Sequence, residues 1–347
     1  MDTQALNRWF LSEKRDLPWR NNASAYAVWV SEVMLQQTQV SVVIPYFLKW
    51  MELFPTVEAL ASAPLDLVIK TWEGLGYYSR ARNLCTGAQM VMEHFNGRIP
   101  NNREDLAKIK GLGPYTIGAL LSFGFKQRAA AVDGNVIRVF SRFFGIEEDV
   151  GKSLTQKKIW GLAEKHLPDN DPWITAEAWI ELGAKICTKN PQCSSCPLKD
   201  TCKAHLQGDP KRYPIKTAKE PTQKLYRIVA VISHGNEVLI ARAEKGKIHS
   251  DLHYFPYLQT TEELYFDTEA KLFLDSHFGI QTELIAPLKE AKHSFTKYRC
   301  HLRPFHMRLR HKKEFPGFSW KSADALTSLA FSAGHRDILK NVLCKEG

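Results

Sequence analysis

The stretch Lys110-Gly111-Leu112-Gly113-Pro114-Tyr115-Thr116 constrains the fold of this chain more than any other. Apolar spacing on either side predicts helices over Asp105–Ile109 and Ile117–Phe123, so the glycines read as a turn between two helices. Gly111 and Gly113 let the backbone turn tightly and bring main-chain N–H groups toward an anion. Pro114 stands where the second helix starts, a position that tolerates its missing N–H. Such a cradle holds a phosphate without reading any base. An ordinary inter-helix turn carries the same residues, just as Asp133 in Val132-Asp133-Gly134-Asn135 suits a turn or a helix cap. The two segments together say more than either alone.

Up to Leu206 the chain is a succession of helical patterns, over Ser31–Leu48, Leu65–Ile69, Ser79–His94 and Lys157–Leu167. Gly97, Pro100, Gly145 and Pro168 separate them, and alternating strand patterns are nearly lacking, which predicts an all-α domain over 1–206. Residues 207–224, charged and punctuated by Pro210, Pro214 and Pro221, suit a linker. Beyond it the period changes. Arg227–Ile232 and Glu237–Ala241 flank a hairpin turn at His234-Gly235-Asn236. Thr268–Phe278 is helical and stops at Gly279, and Tyr298–Leu309 is a strand. The expected architecture is multidomain, an all-α domain followed by an α+β domain over 225–347, with two cores of ordinary size in 347 residues.

Lysine and arginine outnumber the acids 47 to 37, a balance of +10 that favours a polyanionic partner. No apolar run approaches membrane-spanning length, and no basic segment followed by an apolar core opens the chain, so no membrane contact and a cytoplasmic location are expected. Four of the seven cysteines, Cys187, Cys193, Cys196 and Cys202, crowd together with gaps of five, two and five residues. That argues for a reducing compartment rather than a disulfide framework. Thiolates so close together are ligands for zinc or for an iron–sulfur cluster. Structural zinc more often uses two close pairs; one C-x-x-C flanked by single cysteines favours a four-iron (4Fe-4S) cluster. Cys85, Cys300 and Cys344 read as ordinary free thiols. Lys185, Lys189, Lys199 and Lys203 make the loop basic, either facing phosphate or simply solvated.

A helix-hairpin-helix over about 105–123, a downstream Asp and a four-cysteine loop over 187–202 together resemble the endonuclease III superfamily of DNA base-excision glycosylases. Within it, Ser31-Glu32-Val33-Met34-Leu35-Gln36-Gln37-Thr38-Gln39-Val40, Gly74–Arg80 and Val132–Val136 are similar to the adenine DNA glycosylases of the MutY type. The resemblance covers nearly the whole chain, densely in the helical domain and thinly in the second, which resembles a Nudix fold. It implies base excision repair by a monomer, nucleoid-associated in a bacterium, acting on double-stranded DNA whose adenine is mispaired with 8-oxoguanine or guanine. Lyase-type members hold a lysine where this chain has Tyr115, and a tyrosine forms no Schiff base. A single-function glycosylase is therefore implied.

Adenine leaves well only when its ring is protonated, which calls for a general acid; the resemblance assigns that role to Glu32. An exposed Glu titrates near about 4.3, so this one must be raised by burial to about 6–7. A carboxylate on a solvated helix face is the bland alternative. Loss of the base leaves an oxocarbenium-like sugar that Asp133 is suited to stabilise, or to trap briefly, like the second carboxylate of glycosidases. Asn135 is expected to orient the sugar or Asp133, and Tyr115 to shield the site. Because the adenine must be flipped out of the duplex, the family pattern makes Gln37 and Tyr77 wedges in the base stack. It places Trp19, Arg20, Thr38 and Glu177 around the base.

The second domain is expected to read the partner base. Oxidation turns guanine N7 from an acceptor into an N–H donor, so an oxygen acceptor discriminates the lesion. His293-Ser294-Phe295-Thr296-Lys297 occupies the corresponding hairpin, with Phe295 expected to contact DNA: Thr296 keeps the hydroxyl that the family supplies as Ser, whereas Lys297 stands where a His is usual. The first cysteine gap is also one residue shorter than usual. Where a Nudix helix carries metal-binding glutamates, Asp275-Ser276-His277 offers no paired-carboxylate magnesium site, so nucleotide hydrolysis is not expected. Two rivals remain: a lyase acting on oxidised pyrimidines, against which Tyr115 counts, and a non-catalytic lesion binder, against which Glu32 and Asp133 count.

Overall fold

The computed structural model describes every residue except 22–23, 218–220, 245, 247–248, 261–266, 296 and 344–347. Thr296 and Cys344 therefore lie outside the described residues. The chain divides into two compact units, Met1–Ala63 with Ser79–Ala218, and Pro64–Tyr78 with Lys219–Gly347.

The first unit is helical: α1 (Thr3–Glu13), α2 (Pro18–Asn21), α3 (Ala25–Leu35), α4 (Val40–Leu53) and α5 (Val57–Ser62) precede the excursion of α6 (Leu65–Thr71) into the second unit. Then come α7 (Ser79–Phe95), α8 (Arg103–Leu106), α9 (Pro114–Ala119), α10 (Gly134–Phe144), α11 (Ser153–His166), α12 (Pro172–Lys185) and α13 (Lys203–Leu206). Every residue of α3 from Tyr26 to Met34 is buried. A helix that is apolar all round belongs inside a core, and Ser31 and Glu32 are the two polar residues carried in with it.

The pattern over Ser31–Leu48 predicts one helix, but two form. The chain breaks at Gln36–Gln39, with Gln37 at φ +58°, a left-handed conformation that costs a non-glycine residue energy. Buried Arg80 of α7 holds this break: its Nη1 donates to the carbonyls of Val33 at 2.7 Å, Met34 at 3.0 Å and Gln36 at 2.7 Å. These are carbonyls that the end of a helix leaves without partners. The hairpin also differs from a plain pair of helices. Its first arm is helical only over Arg103–Leu106, and the second leaves α geometry for a wider π turn at Leu120–Gly124. Gly118 permits this packing, because a Cβ there would lie 2.0 Å from the Ala130 carbonyl oxygen. The segment after Leu206 packs on the same unit: Tyr213 is buried, its carbonyl accepts from Arg142 Nε at 3.1 Å, and Val150 N–H donates to Ile215 O at 3.0 Å.

The second unit is built on a mixed eight-stranded sheet of β1 (Gln223–His234), β2 (Glu237–Arg242), β3 (His253–Tyr254), β4 (Tyr257–Thr260), β5 (Thr282–Pro287), β6 (Ala291–Phe295), β7 (Tyr298–Leu309) and β8 (Phe318–Ser322). The order β3-β2-β1-β7-β5 forms its spine, with β4 on β1, β6 on β7 and β8 on β2. β1 and β7 pair in parallel from Gln223↔Tyr298 to Ser233↔Arg308. Both faces of β1 are covered: Val229 and Val231 join one core, and Ile228, Ala230 and Ile232 the other. That is why this strand reads as an unbroken apolar run. Leu274 and Phe278 of α14 (Asp267–Phe278) pack in the second core. Two further helices follow, α15 (Ala323–Ser328) and α16 (Ala333–Leu343), the latter giving Ile338, Leu339 and Val342 to the first core.

Residues Pro64–Tyr78 are tied into this unit by polar contacts. Glu73 accepts from Phe331 N–H at 2.8 Å and pairs with Lys70, whose Nζ also donates to Leu329 O at 2.8 Å. Arg242 meets Asp66 at 2.6 Å. Among the described residues, no helix is long and apolar enough to cross a membrane.

Candidate active site

Glu32, Asp133, Tyr115, Asn135, Trp19, Arg20, Thr38 and Glu177 all line one cavity of about 200 Å³ in the helical unit. Each reaches it from a different local device. Glu32 rides on α3, the buried core helix. Tyr115 is the second residue of α9, directly after Pro114 at the helix start. Asp133 is the N-cap of α10, its Oδ1 accepting from Val136 N–H at 2.8 Å, so a residue suited to capping is also delivered to the cavity. Glu177 comes from α12 and Trp19 and Arg20 from α2.

The two carboxyl groups differ in what holds them. Glu32 is buried, and Tyr115 donates to its Oε2 at 2.5 Å. Burial pushes its pKa up to about 7; the Tyr115 hydrogen bond and Arg20 oppose the rise, while Asp133 and Glu177 add to it. Desolvation wins because, among the described residues, no guanidinium or ammonium pairs directly with this carboxyl. Tyr115 itself is held well above its ordinary value by burial and by the charge of Glu32, so its proton stays on the hydroxyl. Burial also raises Asp133, but hydrogen bonds from Val136 and Asn135 and the charge of Arg138 oppose it.

Asn135 Nδ2 donates to Asp133 Oδ2 at 2.7 Å, and its own Oδ1 accepts from Arg138 Nη2 at 2.8 Å. Arg138 continues inward, donating to Gly183 O and to Cys187 O, each at 2.7 Å. The amide of Asn135 is thus fixed with its donor toward Asp133. Gly183 makes this possible, since a Cβ there would meet Asn135 Cβ at 2.6 Å. On the opposite wall Arg20 donates to Glu177 at 2.9 Å and to Glu181 at 3.0 Å.

The other expected site residues that are described are not in the lining of this cavity. Gln37 is exposed at the helix break. Gly111 has φ +87°, and a Cβ there would strike Asn83 Cβ at 2.6 Å. Gly113 is extended, with open space where its side chain would be. Tyr77 belongs to the second unit, with φ +47° and 57 % of its surface exposed. In the β6–β7 hairpin, Phe295 is half-buried against the rings of His249, His293 and Tyr298. Lys297 is exposed, with its carbonyl accepting from Gln223 N–H at 2.9 Å. Sequence reasoning missed Arg15, Arg138 and Glu181. The available signal for Glu181 was a charge between Ile180 and Leu182 in an apolar helix, four residues after Glu177.

Cys187, Cys193, Cys196 and Cys202 line one small pocket with Arg142 and Lys199. Arg142 Nη1 lies 3.3 Å from Cys187 Sγ and 2.6 Å from Thr188 O, which pins the start of the loop to α10. Burial and the neighbouring sulfurs push Cys196 up to about 11 and raise Cys193 and Cys202 as well. Among the described residues, no three His, Cys, Asp or Glu side chains form a group that could hold a metal ion. The four cysteines share the lining of one pocket.

Residues 30–165 match the family described as HhH-GPD superfamily base excision DNA repair protein, and residues 227–341 match the NUDIX domain. An adenine DNA glycosylase of Buchnera aphidicola subsp. Acyrthosiphon pisum is 31 % identical over 312 residues, 89 % of this chain and 87 % of its own length. The human adenine DNA glycosylase is 46 % identical over 210 residues; the match takes in 58 % of this chain and 38 % of the human protein. Among solved structures, a thermostable thymine-DNA glycosylase superposes with TM-score 0.55 at 26 % identity, over 59 % of this chain and 95 % of that one.

Proposed function

The chain belongs to the adenine DNA glycosylase family, and from that premise we propose that it excises adenine mispaired with 8-oxoguanine or guanine in double-stranded DNA, without cutting the strand. The observation that carries the proposal is Glu32: a carboxyl raised to about 7 by burial, in one cavity with a hydrogen-bonded Asp133. An acid whose pKa sits near working pH is the efficient proton donor. With Tyr115 donating to Oε2, Oε1 is the oxygen left to carry the proton toward the ring nitrogen of a flipped adenine.

As the bond breaks, positive charge grows on the sugar, and Asp133 faces it as the stabilising anion. Asn135, oriented by Arg138, keeps Asp133 aimed. Tyr115 has no amine, so it offers no Schiff base and no lyase step. Trp19, Arg20, Thr38 and Glu177 supply the walls of the base pocket, and the Gly111–Tyr115 turn presents backbone N–H groups to a DNA phosphate. Gln37 and Tyr77 are the wedges that fill the stack. In the second unit, the hairpin of Phe295, Thr296 and Lys297 reads the base opposite.

Four cysteines lining one pocket, with one C-x-x-C flanked by single cysteines, suit an iron–sulfur cluster. Cys187, Cys193, Cys196 and Cys202 would hold one 4Fe-4S cluster. Bound there, it would lock residues 187–202 into a fixed loop against α10. Arg142 assists by fixing the Cys187 end.

The test is single-turnover reaction of a duplex with one central adenine opposite 8-oxoguanine, quenched with and without hot alkali. Cuts on the adenine strand that need alkali support the proposal; cuts without alkali indicate a lyase, and binding without cuts indicates a lesion reader.

A further inference from the structure

Two arginines wall the Glu32 cavity, and one buried carboxylate holds both. Glu181 of α12 has no exposed surface. Its Oε1 accepts from Arg15 Nε at 2.7 Å and from Arg15 N–H at 3.2 Å, and its Oε2 from Arg15 Nη2 at 2.9 Å and Arg20 Nη2 at 3.0 Å. Arg20 Nη1 in turn donates to Arg15 O at 3.0 Å, which closes the ring of contacts. Arg15 lies between α1 and α2, where no regular element fixes its backbone. The bidentate grip of Glu181 does so instead.

We propose that Glu181 is a positioning residue for base release: it fixes Arg15 and Arg20 in the wall of the cavity and balances their charge beside the proton that Glu32 must carry. The inference rests on the glycosylase reading above. Burial alone would raise Glu181, but Arg15 and Arg20 hold it below the ordinary carboxylate range, so it is a full negative charge. The titratable and charged groups near Glu32 come from several elements: Arg15 and Arg20 before α3, Tyr115 of α9, Lys126, Asp133 at the head of α10 and Glu177 of α12 line the cavity, and Glu181 of α12 binds the two arginines. Arg80 of α7 caps α3 one turn beyond it, and Arg138 stands behind Asp133. Glu177 and Glu181 set two negative charges against the two arginines, Arg20 binding both carboxylates and Arg15 only Glu181.

Removing either side of this balance moves the proton on Glu32 in opposite directions. Glu181→Gln leaves a surplus positive charge, which favours ionised Glu32. Arg15→Gln leaves a surplus negative charge, which favours protonated Glu32.

The experiment is single-turnover adenine release from pH 5.5 to 9 for the unaltered protein and both variants. Thermal unfolding is followed in parallel. Release by the unaltered protein falls as pH rises through the Glu32 midpoint. Glu181→Gln should move that fall about half to one unit lower, and Arg15→Gln a similar distance higher. Slower release with both midpoints unmoved would make Glu181 a structural anchor only and overturn the proposal. Should one variant fail to fold, the sign of the shift in the other decides. No adenine release from the unaltered protein at any pH defeats the glycosylase reading itself, a separate outcome.

Discussion

Glu32 in the helical unit and Asp275 in the sheet unit are both acids on helices, both buried, and both near hydroxyl groups. Asp275 is fully answered. It pairs with Lys271 at 2.5 Å, accepts from Thr282 Oγ1 at 2.6 Å and ties α14 to the start of β5. Among the described residues, Glu32 receives one tyrosine hydroxyl and no paired cation. Under the proposed function, the difference separates a structural carboxylate from a catalytic one. Burial raises Glu32 to about 7, which suits a group that exchanges a proton near neutral pH.

Replacing the chemical carboxyl should give the largest effect. Glu32→Gln is expected to slow single-turnover base release by about 10³-fold or more while sparing affinity for the mispaired duplex, read by gel shift. Retained turnover would break the comparison at its first term. In the unaltered protein, release should be fastest below about pH 7 and fall above it, because the protonated form of Glu32 is the donor. The raised pKa also means stability that is present at low pH and lost as pH rises toward 7, where the buried group must ionise. Glu32→Gln should accordingly raise the unfolding temperature at pH 8.

Tyr115→Lys should introduce alkali-independent strand cleavage, a qualitative gain at lower total turnover. Its complete absence, with base release intact, would place position 115 out of reach of the sugar. Asp275→Ala should do the reverse of Glu32→Gln. Base release per folded molecule stays within about twofold, and the sheet unit loses about 1–3 kcal/mol as Lys271 and Thr282 lose their partner, measured by denaturant unfolding. The smallest effect is expected at Lys297→His, a few-fold gain in preference for adenine opposite 8-oxoguanine over adenine opposite thymine.

Much of the fold is legible in the order of the amino acids. The β1–β2 hairpin, α14 ending at Gly279 and the long β7 strand are plain there, because period and turn chemistry are local properties. The helix break at Gln36–Gln39 is not. Its apolar spacing continues smoothly, and the interaction that stabilises the break comes from Arg80, far along the chain. Nor is the docking of Pro64–Tyr78 with the sheet unit, since the Glu73 and Lys70 contacts depend on backbone groups of residues 329 and 331. Thr296, the hydroxyl expected to read the lesion, lies outside the described residues.

Sequence by itself determined which groups are available: a lone acid in an apolar helix, an Asp before a helix-starting Gly, a tyrosine where a lysine would act otherwise, and four closely spaced cysteines. Only the tertiary structure decided that Glu32 is dry, that Asn135 is aimed by Arg138, and that Glu181 answers Arg15 of a distant loop and Arg20 of α2. Proton affinity is set by the solvent and charge surrounding a group, and that surrounding is assembled from segments that the chain order keeps apart.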